Sequence, residues 1–223
     1  MKLVHPEVHF QIIFSEQEIP VLLLESPICW RMIQKELFVQ YGGGEGNWVL
    51  SHEDKELKIQ KSVEMILNPI NLEENHKRIM NKFLQSLSEK AVSENYWQKG
   101  QELNTEIQRF FGELEMEYSF GYHINPEIDF SALAKAMGIQ IENEYESDLE
   151  RLFQYCLLAK DILDIRLFVF WNLHQYFTCQ ELEWLYQEFM VRKWNMLLVE
   201  SCVNERIPEE KYYIIDKDNC EIY

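Results

Sequence analysis

The sequence predicts an α/β fold built on a parallel sheet, with a long helical segment inserted into it. Three observations carry that prediction. Two short apolar runs, Val21-Leu-Leu-Leu24 and Leu167-Phe-Val-Phe-Trp171, alternate with amphipathic stretches, the pattern of strands covered on both faces. Between Glu73 and about Glu115 there is no proline, and apolar residues recur at helical spacing. Strand-like runs then resume and continue to the end of the chain.

Taken in order, residues 2–25 read as two strands, His9–Phe14 and Pro20–Leu24, with a polar turn between them. Ser26-Pro27 opens a helix over 28–40 with Ile28, Met32, Ile33 and Leu37 on one face; proline suits a first helical position because its missing N–H has no partner there. Tyr41-Gly-Gly-Gly-Glu-Gly-Asn47 is a turn cluster, and Trp48–Leu50 with Glu56–Ile59 form a hairpin. Val63–Leu67 is a strand closed by Asn68-Pro69. Two long helices follow, one carrying Ile79, Phe83, Leu84, Leu87 and Ala91, the next Leu103, Ile107, Phe110 and Phe111, with a break near Lys99-Gly100. Phe130–Met137 is a short helix capped by Gly138, and Ile139-Gln-Ile141 an edge strand. Asp148–Ile165 is a helix, Leu167–Trp171 a central strand, and Thr178–Lys193 a helix whose Thr178-x-x-Glu181 is a capping box. Met196–Glu200, Tyr212–Ile215 and Glu221–Tyr223 supply the last strands. The expected division is a head of residues 1–72 and 139–223 and a helical leg of residues 73–138.

The composition, 47% hydrophobic and 13% aromatic over 223 residues, is ample for a core. The longest apolar runs fall far short of the roughly 20 residues a membrane helix needs, and the N-terminus has no signal-peptide core. Cys29, Cys156, Cys179, Cys202 and Cys220 are scattered and never form C-x-x-C, which fits reduced thiols in a cytoplasmic protein.

The net charge of −17 taken alone disfavours a nucleic-acid partner. Its distribution matters more. Residues 75–111 carry six Lys or Arg against four Glu, whereas residues 112–150 carry ten acids against one Lys. Arg78, Lys82, Ser86 and Lys90 step by four along one helix face, and Lys77, Lys99 and Lys135 extend the basic set. An exposed helix ordinarily carries such lysines; in a ring of identical subunits, symmetry would multiply every inward charge.

Other candidate sites are thinner. A sheet that hydrolyses nucleotides follows its first strand with a glycine loop bearing lysine, and ends a later strand in a magnesium-handling Asp. Here the turn after Glu25 has neither glycine nor lysine, and Asn172 stands at the end of the central strand, so no enzymatic activity is expected. Gly42–Gly46 lacks the Gly-Lys-Ser/Thr ending and reads as a connection. His174 reads as a hydrogen-bonded structural residue, and Cys179, Cys202 and Cys220 as inert thiols. Glu113, Glu115, Glu117, Glu127 and Asp129 offer oxygens to a hard cation such as Ca²⁺, which takes roughly six to eight. No EF-hand spacing is present, and a solvated acidic edge is the plainer reading.

In the order and spacing of several segments the chain resembles the Csn2 family, the CRISPR-associated adaptation proteins of type II-A systems. The resemblance runs through Trp48-Val-Leu50 and Leu57-Lys58, Val63-Glu-Met-Ile-Leu-Asn-Pro69 with Leu72 and Asn75, and Leu133-Ala-Lys-Ala-Met-Gly-Ile-Gln-Ile-Glu142. It continues in Leu167–Asn172, Met196–Glu200 and Tyr213–Asp216. It implies a RecA/ABC-ATPase-like head sheet with a degenerate nucleotide site, plus the long helical leg insertion. It further implies a homotetrameric ring whose lysine-lined hole takes double-stranded DNA ends, calcium binding, and partnership with CRISPR integrase proteins and the type II-A effector nuclease. Lys135 matches a basic position of the family pattern. The acidic run that relatives carry before that segment is replaced here by the mostly neutral Tyr118–Pro126.

The expected function is therefore non-catalytic, sequence-independent binding of duplex DNA ends during spacer acquisition, with Lys77, Arg78, Lys82, Lys90, Lys99 and Lys135 toward phosphates. The alternatives are a protein-binding scaffold without DNA contact, using Tyr96 and Trp97, and a divergent NTPase for which Arg31 or Lys35 are the nearest cations.

Overall fold

Residues 1–142, 145–203 and 205–222 of the computed structural model are described, those at 73–75 by backbone alone. Tyr223 and the side chain of Asn75 thus lie outside the described residues. The elements are β1 (Lys2–Val4), β2 (Ile12–Ile13), β3 (Ile19–Leu24), α1 (Pro27–Tyr41), β4 (Val49–His52), β5 (Lys55–Leu57), α2 (Ile59–Ser62) and β6 (Val63–Ile66). Then come α3 (Glu73–Ala91), α4 (Trp97–Glu115), α5 (Phe130–Ala136), α6 (Asp148–Leu163) and β7 (Leu167–Trp171). After a 3-10 turn at Leu173–Gln175 follow α7 (Cys179–Val191), β8 (Asn195–Glu200), β9 (Glu210–Ile215) and β10 (Glu221–Ile222).

The chain divides into two compact units, residues 1–73 with 144–223, and residues 74–143. In the first, mixed α/β unit, six strands pair in the order β10-β9-β3-β8-β7-β6. Every pairing is parallel except β10 with β9. All residues of β3 and β7 are buried, as continuous apolar runs in a doubly covered sheet require. Leu22 and Leu24 of β3, Leu197 and Val199 of β8, and Ile33 and Leu37 of α1 share one core. Fully burying each such side chain contributes about 1.5–3 kcal/mol. A smaller antiparallel sheet, β2-β1-β4-β5, adds Leu3, Ile12 and Leu50 to that core, and Trp48, just before β4, joins them.

Local chemistry sets the helix ends. Ser26 caps α1 by accepting from the Cys29 N–H, with Pro27 at the first position. Ser147 caps α6, and Asp164, in the left-handed region at φ 55°, ends it before Ile165. Both halves of the Thr178/Glu181 capping box are formed at α7.

Some expectations change, among them the strand expected over Glu56–Ile59, which is Lys55–Leu57 with Ile59 already opening α2. The strand expected over His9–Phe14 is reduced to Ile12–Ile13, and the middle strand of the small sheet is Lys2–Val4, paired on both sides. Three residues are too few to show a period, so neighbours rather than pattern define this strand. In the second unit, Gly100 lies inside α4, and the turn falls at 92–96, where Ser93 Oγ donates to the Lys90 carbonyl. A Cβ on Gly100 would stand 2.8 Å from the Ala91 carbonyl oxygen, so the glycine serves a close pass of two helices. Ile139–Ile141 forms no strand: the Ile139 N–H bonds back to the Ala134 carbonyl, prolonging the helix end past Gly138 at φ 70°. The glycines after α1 are its terminus, their N–H groups returning to the Phe38, Gln40 and Val39 carbonyls, with Gly43 at φ 90°. Among the described residues no helix is long and apolar enough to cross a membrane.

Candidate functional site

In open parallel sheets the carboxyl ends of the strands are where ligands are handled. Here β3 lies between β9 and β8, with Leu23 opposite Glu200, so the strand next to the β3–α1 turn is β8 and not β7. The acid beside that turn is Glu200, while Asn172 ends β7, one strand further from β3. Asn172 sits in the left-handed region at φ 53° and accepts from the Ser201 N–H (3.0 Å) and hydroxyl (2.9 Å), tying the ends of β7 and β8 together.

Glu200 is 0% exposed. Its Oε1 accepts from the His174 N–H at 3.3 Å, while Oε2 has no partner among the described residues. Burial pushes its carboxyl up to about 7. Glu210 stands close by: Oε1 meets His174 Nε2 and the Tyr186 hydroxyl, each at 2.7 Å, and Oε2 accepts from the Tyr212 hydroxyl at 2.6 Å and the Ile207 N–H at 3.0 Å. Burial raises this carboxyl, but those four hydrogen bonds outweigh it and hold Glu210 below the ordinary value. For His174 burial acts downward, but the Glu210 hydrogen bond together with the charges of Glu210 and Glu200 outweighs it, so its pKa is raised. His174 is thus the hydrogen-bonded structural residue its strand-end place suggests.

In the second unit, α3 presents Arg78, Lys82, Ser86 and Lys90 at rises of about 6 Å. Lys77, Lys90, Lys99 and Lys135 are exposed; Arg78 and Lys82 are half-buried. The Lys82 ammonium donates to Gln85 Oε1 at 3.2 Å, and Arg78 is held in an interaction of its own. Among the described residues Lys77, Lys82, Lys90, Lys99 and Lys135 make no ion pair, whereas Arg109 is neutralised by Glu106 (2.7 Å) and Glu113 (3.8 Å). Lys99 lies on α4 a turn from Glu102, and Lys135 in the last turn of α5. The α3 cations therefore form a row, and Lys99 and Lys135 come from two other elements.

The acidic candidates are spent locally. Glu113 pairs with Arg109, Glu115 Oε1 accepts from the Tyr122 N–H (3.2 Å), and Asp129 Oδ1 caps α5 through the Ser131 and Ala132 N–H groups. Glu117 and Glu127 are exposed. Among the described residues no three His, Cys, Asp or Glu side chains converge on a metal-holding group. Set against a calcium ion's need for roughly six to eight oxygens, these residues do not make a preassembled site.

One feature of this unit is not written in the sequence pattern. No residue of α4 is buried. Leu103 (42% exposed), Phe110 (56%) and Leu114 (37%) share an open apolar face with Lys99. The far side of α4 is the occupied one: Asn104 donates to the Pro126 carbonyl and accepts from the Ile128 N–H, and Gln108 also donates to Pro126. The period-3.6 pattern signals the helix; nothing in it signals whether the chain itself covers the apolar side. Tyr118 and Phe120, just beyond the helix, are exposed and pack together at 5.4 Å.

Compared with known families, residues 40–219 match the model of a CRISPR-associated protein family, Cas_Csn2, a span that runs from the last turn of α1 to the turn before β10. No curated protein matches the chain.

Proposed function

Since the chain belongs to the CRISPR-associated Csn2 family, we propose that it acts in CRISPR adaptation as a non-catalytic homotetrameric ring that holds the end of a DNA duplex during spacer acquisition. The observation that carries this reading is the row of cations along α3, in a chain of net charge −17, in which Lys77, Lys82 and Lys90 make no ion pair among the described residues. Lysines left without acidic partners in so acidic a protein are suited to a polyanion.

In this mechanism Lys77, Arg78, Lys82, Lys90, Lys99 and Lys135 neutralise phosphates and release their counterions, which gives affinity without sequence preference. The acidic remainder disfavours DNA on the outside of the ring. Copies assemble through apolar faces such as that of α4, because an exposed Leu103–Phe110–Leu114 stripe gains free energy only when covered. Calcium takes no part in any step. As a ligand of the assembled ring it is tested by native mass with and without the ion.

The head is read as a RecA/ABC-like sheet with a degenerate nucleotide site. Supporting this are the mostly parallel six-stranded order, the turn after β3 without glycine or lysine, and Ser26 committed to capping α1. The five cysteines, all free, fit a cytoplasmic place of action beside the integrase proteins and effector nuclease as partners. A protein-only scaffold is the second reading, favoured by the exposed Tyr96 and Trp97.

The deciding experiment is binding of a blunt linear duplex and of a closed circle of equal sequence, followed by fluorescence anisotropy over a salt series. The ring reading expects the linear duplex to bind with a steep salt dependence and the circle to bind far less. Equal affinity for both, or no binding at low salt, would overturn it, and the latter result would favour the scaffold.

A further inference from the structure

DNA holding makes no use of the polar knot at the carboxyl end of the sheet, where the Glu200 and Glu210 carboxyls, the His174 imidazole and the Tyr186 phenol are buried and the half-buried Tyr212 phenol joins them. We propose that Glu200, His174 and Glu210 form a proton-operated latch fastening the end of β8 to the start of β9, closed while Glu200 carries a proton and loosened by its loss.

The geometry supplies the parts. Glu210 is the hub, receiving hydrogen bonds from His174 in the turn after β7, from Tyr186 on α7, from Tyr212 on its own strand and from the Ile207 N–H in the connection before it. Glu200 ends β8 beside it, with one oxygen on the His174 N–H, the Leu173 N–H also acting on the carboxylate, and the other oxygen without a hydrogen bond among the described residues. Near the knot stand also Arg206, stacked on Tyr212 at 4.4 Å, the Cys179 thiol, which donates to Glu205 at 3.4 Å and feels the Glu210 charge, and Glu209, whose Oε2 is buried without a hydrogen bond among the described residues. No described cation is hydrogen-bonded to the open oxygen of Glu200.

A neutral carboxyl tolerates that position; an ionised one leaves a dry, unpaired oxygen next to a second carboxylate. Burial, only partly offset by the His174 charge and the His174 and Leu173 N–H groups and slightly reinforced by the Glu210 charge, raises Glu200 from 4.5 to about 7. The closed form thus binds more protons than an open, hydrated one, and raising the pH through that interval favours opening. His174, also raised, acts in the same sense, because losing its proton removes the cation between the two acids. Glu210, held low, acts in the opposite sense and only toward acid, below the ordinary carboxylate range. Between pH 6 and pH 8 Glu200 alone changes the open-to-closed ratio by roughly tenfold.

Amide hydrogen exchange of the full chain at pH 6, 7 and 8, corrected for intrinsic rates, reads this directly. Protection over residues 205–212 is expected to fall by roughly tenfold across that range, while β7 amides keep theirs. In Glu200→Gln, a neutral isostere, the decline over 205–212 should shrink to the share contributed by His174. A flat profile in the unsubstituted protein, or an undiminished decline in Glu200→Gln, would overturn the latch. Because that variant has to fold to be informative, the unsubstituted protein provides a second measurement. Its infrared spectrum should retain a protonated-carboxyl band that disappears with a midpoint near pH 7. A band already lost by pH 5 would overturn the proposal. Neither measurement involves DNA, so the latch and the ring reading stand or fall separately.

Discussion

The hydroxyl of Tyr155 on α6 donates to the carboxylate of Glu64 on β6, and both side chains are 0% exposed. Tyr41 adds a second hydroxyl at 3.4 Å. A charged-type residue is thereby accommodated in a strand whose four residues are all buried. Tyr155→Phe removes one of these donors while keeping the ring, and should cost about 1–3 kcal/mol. Urea unfolding should show a lower midpoint at an unchanged m-value.

Reversing two cations of the α3 row tests the proposed interface. Lys82→Glu with Lys90→Glu should weaken linear duplex binding for all sequences alike, and should flatten the log–log salt slope by about 0.9 for each phosphate that is no longer neutralised. Anisotropy titrations at several salt concentrations check both outcomes. Lys193→Glu, on the first unit and paired with Glu16, serves as the comparison and should leave the slope unchanged.

Leu103→Glu with Phe110→Glu places two charges on the open face of α4. The fold should survive, since neither residue is buried, and the circular dichroism spectrum should be unaltered. Native mass should shift toward smaller assemblies, and binding of linear DNA should fall with it. A tetramer that persists in this variant would place the interface between copies elsewhere.

Thr178→Ala removes a cap that is hydrogen-bonded in both directions, and should cost about 1 kcal/mol. Its pH signature is specific. Backbone and side-chain hydrogen bonds from Thr178 hold Glu181 below its ordinary 4.5, so their stabilisation is present above that value and is lost as pH falls through the lower, folded-state one. Thermal melts between pH 3 and pH 6 should therefore show a shallower acid loss in the variant than in the unsubstituted protein.

The strands and helices that carry the large sheet were legible because each obeys one local rule. Leu167–Trp171 is apolar throughout, Pro27 marks a first turn, and Thr178 with Glu181 writes a capping box into four residues. What escaped was decided at long range. Lys2–Val4 is a strand because Ile12–Ile13 and Val49–Ser51 flank it. Glu200 reads as the polar end of an apolar run; only the strand order puts it beside β3, and only the fold brings Glu210 and His174 to it. The basic residues of α3 were visible as a face, because a four-residue step is a local property. The acids at 113–129 read as one cluster in sequence and are separate in space, each held by its own nearby donor or left in solvent.

The pass of Gly100 beneath the Ala91 carbonyl reverses a familiar rule of protein engineering. Replacing glycine by alanine inside a helix ordinarily gains about 0.5–1 kcal/mol, because alanine has the higher propensity and the unfolded chain loses freedom. At this position the added methyl would stand 2.8 Å from a backbone oxygen, with the Phe130 ring 3.5 Å away, and neither α3 nor α4 has a flexible side chain there to yield. The separation of the two helices is set by an atom that is missing. Efforts to stiffen this hairpin should therefore strengthen the surfaces around Gly100 and leave that glycine in place.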